Sequence, residues 1–182
     1  MPGVILVGET RDTETAQLMI RAALTGHLVF STLHTNDAPG AVPRLLDMGV
    51  EPYLLPSSIL AVLGQRLART ICPSCKEAIQ QPERVFERLK VPPPPDIALK
   101  LFHGAGCAAC KQSGFRGRLG IYELMRIDER FHEPIVRRAA SSEFLALAKE
   151  SGMKSMFEDG LLKAAQGITT VDELLRVTRL DP

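Results

Sequence analysis

The chain has 182 residues, 45% of them apolar and 24% charged, with 22 Lys plus Arg against 21 Asp plus Glu. That is room for one ordinary domain or two small ones with a real core, and the near-balance of charge excludes bulk attraction to nucleic acid or anionic lipid. No apolar run approaches the roughly 18 residues of a membrane span, and MPGVILVGET lacks the basic n-region of a signal peptide, so the expected location is the cytosol.

Val4 to Val7 is a continuous aliphatic run, read as a short buried strand of a parallel sheet. It leads directly into Gly8-Glu9-Thr10-Arg11-Asp12. Asp12 is placed to cap a helix over TETAQLMIRAAL, which carries an acid in its first turn and has Gly26 just past its end. Leu28 to Leu33 reads as a second buried strand. Strand, helix and strand within about 30 residues make a βαβ unit with a right-handed crossover. Asn36 or Asp37 is expected to open another helix, through RLLDM to Gly49, and Ser57 or Ser58 a third, over ILAVLGQRLART. Residues 1–70 therefore read as half of an α/β domain.

Residues 71–120 differ in character. They hold all four cysteines, the VPPPP run at Val91 to Pro95, and a glycine-dense stretch from Gly104 to Gly120. Such a segment is expected to bury little apolar surface, and the proline run favours extended polyproline conformation. Residues 121–182 return to helical patterning: EFLALAKE follows Ser141-Ser142 and precedes Gly152, and Thr170-Val171-Asp172-Glu173 reads as a capping box ahead of LLRVTRL.

The cysteines fall in two Cys-x-x-Cys knuckles, Cys72-Pro-Ser-Cys75 and Cys107-Ala-Ala-Cys110, each followed by a lysine. In a cytosolic chain this spacing puts four thiolates within reach of one tetrahedral zinc ion. The loop between the knuckles is longer than the roughly 15–20 residues of an ordinary zinc ribbon, and the proline-containing loop absorbs the excess. Two disulfides or buried unligated thiols are the alternatives; a reducing cytosol disfavours the first, and flanking Pro, Ser, Lys and Gly are poor core companions for the second. With four protein ligands no coordination position stays open, so such a zinc is structural.

An aliphatic strand ending in a carboxylate delivers that group to the crevice where ligands bind open α/β sheets. Taken by itself, Glu9 could equally be a solvated strand-end carboxylate. The second strand adds to it: TGHLVFSTLHTND places His27 before that strand and His34 after it, beside Ser31, Thr32, Thr35 and Asn36. A polar cluster at one strand end next to a glutamate at its neighbour's end reads as a candidate phosphate-sensing rim.

VGETRDTETAQLMIRAALTGHLVFSTLHTNDA resembles the Walker B and histidine-box region of the secretion ATPases, the motors of type II secretion and type IV pilus assembly. The resemblance extends through LLDMGVEPYLLPSSILAVLGQRLAR, both knuckles, GFRGRLGIYELM and GITTVDELLRV, nearly the whole chain. The paired knuckles resemble the GspE and PilB types, and ITTVDELLRVTRLD leans toward the type II secretion member. The resemblance implies an α/β fold: the C-terminal half of a RecA-like ATPase domain, a tetracysteine zinc-binding subdomain and a helical C-terminal part. It makes Glu9 the Walker B glutamate that polarises the attacking water, with Arg11 and Asp12 in support. His27 and His34 match the histidine box, His34 being the better placed to sense the γ-phosphate, and Cys72, Cys75, Cys107 and Cys110 match a tetracysteine zinc site. It further implies ATP and Mg2+ as ligands of the intact protein, a homo-hexamer, and inner-membrane secretion-platform partners that hold the motor at the membrane. Thr10 departs from the aliphatic residue usual in the family, with little effect expected.

A phosphate-cradling loop needs G-x-x-x-x-G-K-[ST], and none of the 14 glycines here is followed by lysine. The family carries that loop upstream of its Walker B strand, so the chain is expected to begin inside a catalytic domain and to be inactive alone. A zinc-stapled interaction module without catalysis is the second reading. A nucleic-acid binder is the third, resting on the basic stretch KQSGFRGR, but near-neutral charge and 5% aromatic residues supply neither an electrostatic footprint nor stacking platforms.

Overall fold

The computed structural model describes residues 3–93 and 100–178. Pro94 and Pro95 of the proline run and the last three residues of ITTVDELLRVTRLD lie outside them. In chain order the elements are β1 Val4–Val7, α1 Thr13–Leu24, β2 Leu28–Ser31, α2 Ala41–Asp47, α3 Leu55–Ser58, β3 Ala61–Ile71, β4 Lys76–Ala78, α4 Glu83–Leu89 and β5 Phe102–Gly104. They continue with β6 Phe115–Arg126, α5 His132–Val136, α6 Ser141–Glu150, α7 Met156–Ala165 and α8 Val171–Val177. The fold is mixed α/β. It divides into two compact units, Met1–Gly64 with Leu124–Met153, and Gln65–Glu123 with Lys154–Pro182.

In the first unit β1 and β2 pair in parallel, Val4 opposite Leu28 and Val7 opposite Ser31, with α1 as the connection. The local chemistry dictates the helix ends. Asp12, in extended conformation, accepts the Thr15 N–H at 2.8 Å and so satisfies one of the orphan donors of the first turn. Gly26, at φ +92°, takes the left-handed turn out of α1 that a residue with a Cβ would resist. The helix expected from Asn36 or Asp37 starts at Ala41 instead, because the Asp37 carboxylate holds the Gly40 N–H at 2.8 Å in a turn ahead of it. Ile20 of α1 packs with Val42, Leu45 and Leu46 of α2, and Phe131 stacks on Phe144 with centroids 6.3 Å apart.

The parallel pairing matches the sequence reading, but the burial does not. Val4 and Leu6 are 68% and 78% exposed, and Phe30 is 54% exposed. A parallel sheet needs cover on both faces, and among the described residues these side chains have none. Exposed edges and apolar faces recruit other chains, so the isolated chain is expected to self-associate at moderate concentration, and Leu6→Glu with Phe30→Glu to reduce that association. Light scattering showing a clean monomer of the unsubstituted chain over a broad concentration range would overturn this expectation.

The apolar spacing of ILAVLGQRLART suggests a helix, yet residues 61–71 form β3, paired with β6. Gly64 is a poor helix interior residue and Val62, Thr70 and Ile71 are β-branched. A ladder partner some 50 residues downstream, invisible to local pattern, decides for the strand.

The second unit has its own core, in which Phe86, Val91 and Leu101 of the cysteine-bearing segment pack with Ile121, Met156 and Leu174. The segment thus buries more than its composition suggests, because it shares that core with α7 and α8. Ser155 and Glu158 form a reciprocal capping box on α7. On α8 only half of the expected box forms: the Thr170 hydroxyl accepts the Glu173 N–H at 3.1 Å. The Glu173 carboxylate is occupied elsewhere. Fully buried, it accepts the Arg69 N–H at 2.9 Å, the Arg69 guanidinium at 2.7 and 3.0 Å, and the Arg176 guanidinium at 2.6 and 2.8 Å.

Burial pushes the Glu173 carboxyl up, but hydrogen bonds from Arg176 and Arg69 outweigh it and hold the group down at about 2. A carboxyl depressed in the folded state contributes stability above its unfolded value of 4.5. That contribution is lost as pH falls from about 5 toward 2. Glu173→Gln is therefore expected to cost about 3 kcal/mol at pH 7, with the gap from the unsubstituted protein narrowing to less than half of that at pH 3. Denaturant unfolding at both pH values checks it; a gap that stays constant would show that ionisation of Glu173 contributes nothing.

Candidate functional site

The carboxyl ends of β1 and β2 are joined beyond their last ladder pair. Thr32 bonds both neighbours of Glu9: its hydroxyl donates to the Gly8 carbonyl at 2.8 Å, and its carbonyl accepts the Thr10 N–H at 2.9 Å. Glu9 is thereby set just beyond the end of β1, and its carboxylate forms an ion pair with the Arg11 guanidinium and contacts His34 Nε2. The Glu9 side chain is 25% exposed, whereas Arg11 and His34 are 74% and 79% exposed. Partial desolvation pushes the Glu9 carboxyl up, yet the hydrogen bond and charge of Arg11, with His34 adding, bring it below the ordinary range. Glu9 is thus an ionised acceptor at neutral pH.

Of the residues expected beside Glu9, the catalytic candidate His34 and the supporting Arg11 reach it. Asp12 is engaged by the N–H of Thr15, which lowers its carboxyl, and so serves the helix. His27 lies at the other end of the sheet: Leu28 donates to Gly3 at 3.1 Å, and the His27 ring faces the Thr25 hydroxyl and the Ala22 carbonyl. A four-residue strand is about 13 Å long, so within this chain His27 is not brought together with Glu9 and His34.

The second cluster comprises the cysteines. Each knuckle is a turn of 3-10 helix, Pro73–Cys75 and Ala108–Cys110. The antiparallel pairing of β4 with β5 sets Lys76 opposite Gly104 and draws the knuckles together. Gly104 and Gly114 pass backbone to backbone; a Cβ on Gly104 would sit 2.1 Å from the Gly114 carbonyl oxygen, so neither position tolerates a side chain.

All four Sγ atoms lie within 4.8 Å of one another. Cys72–Cys107 and Cys75–Cys110 are 3.9 Å apart and Cys107–Cys110 3.7 Å. Sulfurs about 2.3 Å from a tetrahedral zinc are about 3.8 Å from each other, whereas a disulfide needs about 2.05 Å. The spacing fits one metal ion and no sulfur–sulfur bond. Backbone N–H groups point at the sulfurs: Gly106 at Cys75 (3.3 Å), Cys107 and Gly114 at Cys110 (3.2 and 3.3 Å). Burial pushes the Cys75 thiol up to about 12, and the neighbouring sulfurs add to it. Burial acts likewise on Cys110, but the N–H groups of Cys107 and Gly114 overcome it and draw that thiol down to about 6. Four soft donors with amide support suit zinc or iron rather than a hard cation.

Two features escaped the sequence reading. Arg69 and Glu173 are about a hundred positions apart, and Glu173 looked like an ordinary capping residue. Thr10 is buried and its hydroxyl lies 2.7 Å from that of Ser31; its only signal was its departure from an aliphatic residue.

The mixed α/β framework that carries this strand pair is similar in fold to solved ATPase structures. The crystal structure of the pilus retraction motor PilT with bound ADP superposes with a TM-score of 0.63 at 24% identity, over 98% of this chain and 40% of that one. The Legionella pneumophila ATPase DotB gives 0.59 at 21%, over 96% and 38%. These likenesses concern the fold.

Sequence comparison gives the family. Residues 1–176 match the model of the type II/IV secretion system protein family, and the chain belongs to it. The type II secretion system protein E of Pseudomonas aeruginosa is 49% identical over 98% of this chain and 35% of its own length. The type II secretion system ATPase E of Vibrio cholerae is 46% identical, again over 98% and 35%, and the type IV pilus assembly ATPase PilB of Thermus thermophilus 44% over 97% and 20%. The chain spans about a third or less of the length of these relatives. Among the described residues, no helix is long and apolar enough to cross a membrane.

Proposed function

We propose that the chain is the C-terminal part of a cytoplasmic secretion-motor ATPase that couples ATP hydrolysis to pseudopilus assembly and protein export by type II secretion. The observation that carries this reading is the meeting of Glu9, Arg11 and His34 at the open carboxyl end of the parallel strands. Glu9, ionised and flanked by Gly8 and Thr10, each bonded to Thr32, is the group that orients a water and accepts its proton. His34 senses the γ-phosphate, and Arg11 with Asp12 steadies the loop. ATP and Mg2+ belong to this site in the intact protein; the phosphates would be neutralised there by the metal ion. The intact protein works as a hexamer on inner-membrane secretion-platform partners, without nucleic acid. The identities of 49% and 46% to type II proteins, against 44% to a pilus-assembly ATPase, support type II secretion over pilus extension.

Cys72, Cys75, Cys107 and Cys110 hold one structural zinc ion that ties the two knuckles together. The near-tetrahedral spacing of their sulfurs supports that assignment.

The chain alone has no G-x-x-x-x-G-K-[ST] cradle, and positioning supplies most phosphoryl-transfer catalysis. It is therefore expected to hydrolyse ATP no faster than background. The full-length Pseudomonas aeruginosa relative, carrying this chain in place of its matching segment, is expected to turn over ATP. A folded chimera that binds nucleotide without hydrolysing it would contradict the catalytic reading and favour a zinc-stapled interaction module.

A further inference from the structure

We infer that the hydroxyl pair of Thr10 and Ser31 is a positioning device that fixes Glu9 against His34. The inference rests on the catalytic reading of Glu9 given above. Glu9 and His34 stand on separate segments that leave the ends of β1 and β2. The backbone bonds to Thr32 fix Gly8 and Thr10 along the strand direction. They do not by themselves set the twist of the Gly8–Arg11 segment about that axis.

The Thr10 side chain does. It points inward from the residue next to Glu9, is 3% exposed, and its Oγ1 meets Ser31 Oγ at 2.7 Å and Met19 Sδ at 3.7 Å. The next side chain along the chain is Glu9, whose carboxylate meets Arg11 and His34. Anchoring Thr10 against Ser31 and Met19 therefore limits how the backbone carrying Glu9 turns relative to the rim where His34 and Arg11 stand. An aliphatic residue at this position would fill the same space but leave the Ser31 hydroxyl without this partner, which costs free energy in a partly buried site. Thr10 and Ser31 thus act as a matched pair, and Thr10 matters more than its conservative size suggests. Neither residue touches the reacting atoms; both act through Glu9.

Steady-state kinetics in the chimera described above test this. Thr10→Val keeps the volume and removes the hydroxyl; it is expected to lower kcat about tenfold or more while leaving KM for ATP and the affinity for a non-hydrolysable ATP analogue within about twofold. Thr10→Ser restores the hydroxyl and is expected to recover most of kcat. Ser31→Ala is expected to match Thr10→Val, and the double variant to be no worse than either single, since both break one contact. If Thr10→Val folds with the parent's melting temperature and keeps its kcat, or if the double variant shows the product of two independent losses, the positioning role is overturned. Loss of binding and turnover together with a lowered melting temperature that Thr10→Ser does not relieve would make the pair merely structural, and overturns it too. Failure of the catalytic reading shows differently: turnover in the parent chimera would then be absent, or would survive Glu9→Gln.

Discussion

Cys72→Ser and Cys107→Ser are each expected to release the bound metal and to loosen the segment from Ile71 to Gly120. Ordering a chain costs on the order of 1–2 kcal/mol of backbone entropy per residue. The buried apolar residues this segment contributes to its unit's core are Phe86, Val91 and Leu101, with Ile79, Val85, Leu89 and Leu119 packed against it, and the core cluster includes no knuckle cysteine. The turns of Cys107–Ser113 are held mainly by local hydrogen bonds, and Lys111 and Gln112 sit at positive φ, a conformation that costs non-glycine residues free energy. Four thiolates on zinc offset this, since structural zinc contributes apparent free energies of roughly 10–16 kcal/mol in small domains. The purified protein should carry about one zinc per chain. Each substitution should abolish that stoichiometry and expose the β4–β5 pair to proteolysis. The core around Phe131 and Phe144, and with it the strands bearing Glu9 and His34, should persist, because that cluster contains no residue of the cysteine segment. Elemental analysis showing no zinc, together with four freely titrating thiols in a protein whose β4–β5 pair stays protected, would end the zinc proposal.

Glu9→Gln in the chimera is expected to lower kcat by about 10²–10⁴-fold, the range lost with a positioned general base, while nucleotide affinity changes little. The substitution keeps size and the hydrogen bonds to Thr32, which are made by the backbone on either side. It removes the charge that pairs Arg11 and His34. Because the carboxyl is held below its ordinary range, turnover in the unsubstituted chimera should not decline through its titration between pH 6 and 8. Single-turnover measurement separates chemistry from binding; a variant that binds and hydrolyses like the parent would remove Glu9 from the catalytic role.

Much of the candidate site is legible in the sequence because its signals are local. The run Val4–Val7 into Glu9, the Asp12 cap, and two Cys-x-x-Cys knuckles depend on neighbours within a few positions, and backbone stereochemistry and chelate geometry act over that range. The parallel pairing of β1 and β2 follows from the same economy, since a single intervening helix brings such strands together. What sequence alone could not determine depends on distant partners. Residues 61–71 became a strand because β6 supplied a ladder, overriding a pattern that also fits a helix. Glu173 left its capping box because Arg69, remote in sequence, offered a charged, hydrogen-bonded site for a buried carboxylate. His27 and His34, equal members of one motif in the sequence, were separated by the length of β2. Thr10, a minor departure in the sequence, became a buried partner of Ser31. In each case local propensity is worth tenths of a kcal/mol to about one, whereas leaving a buried polar or charged group unpaired costs several, so the tertiary structure had the deciding weight.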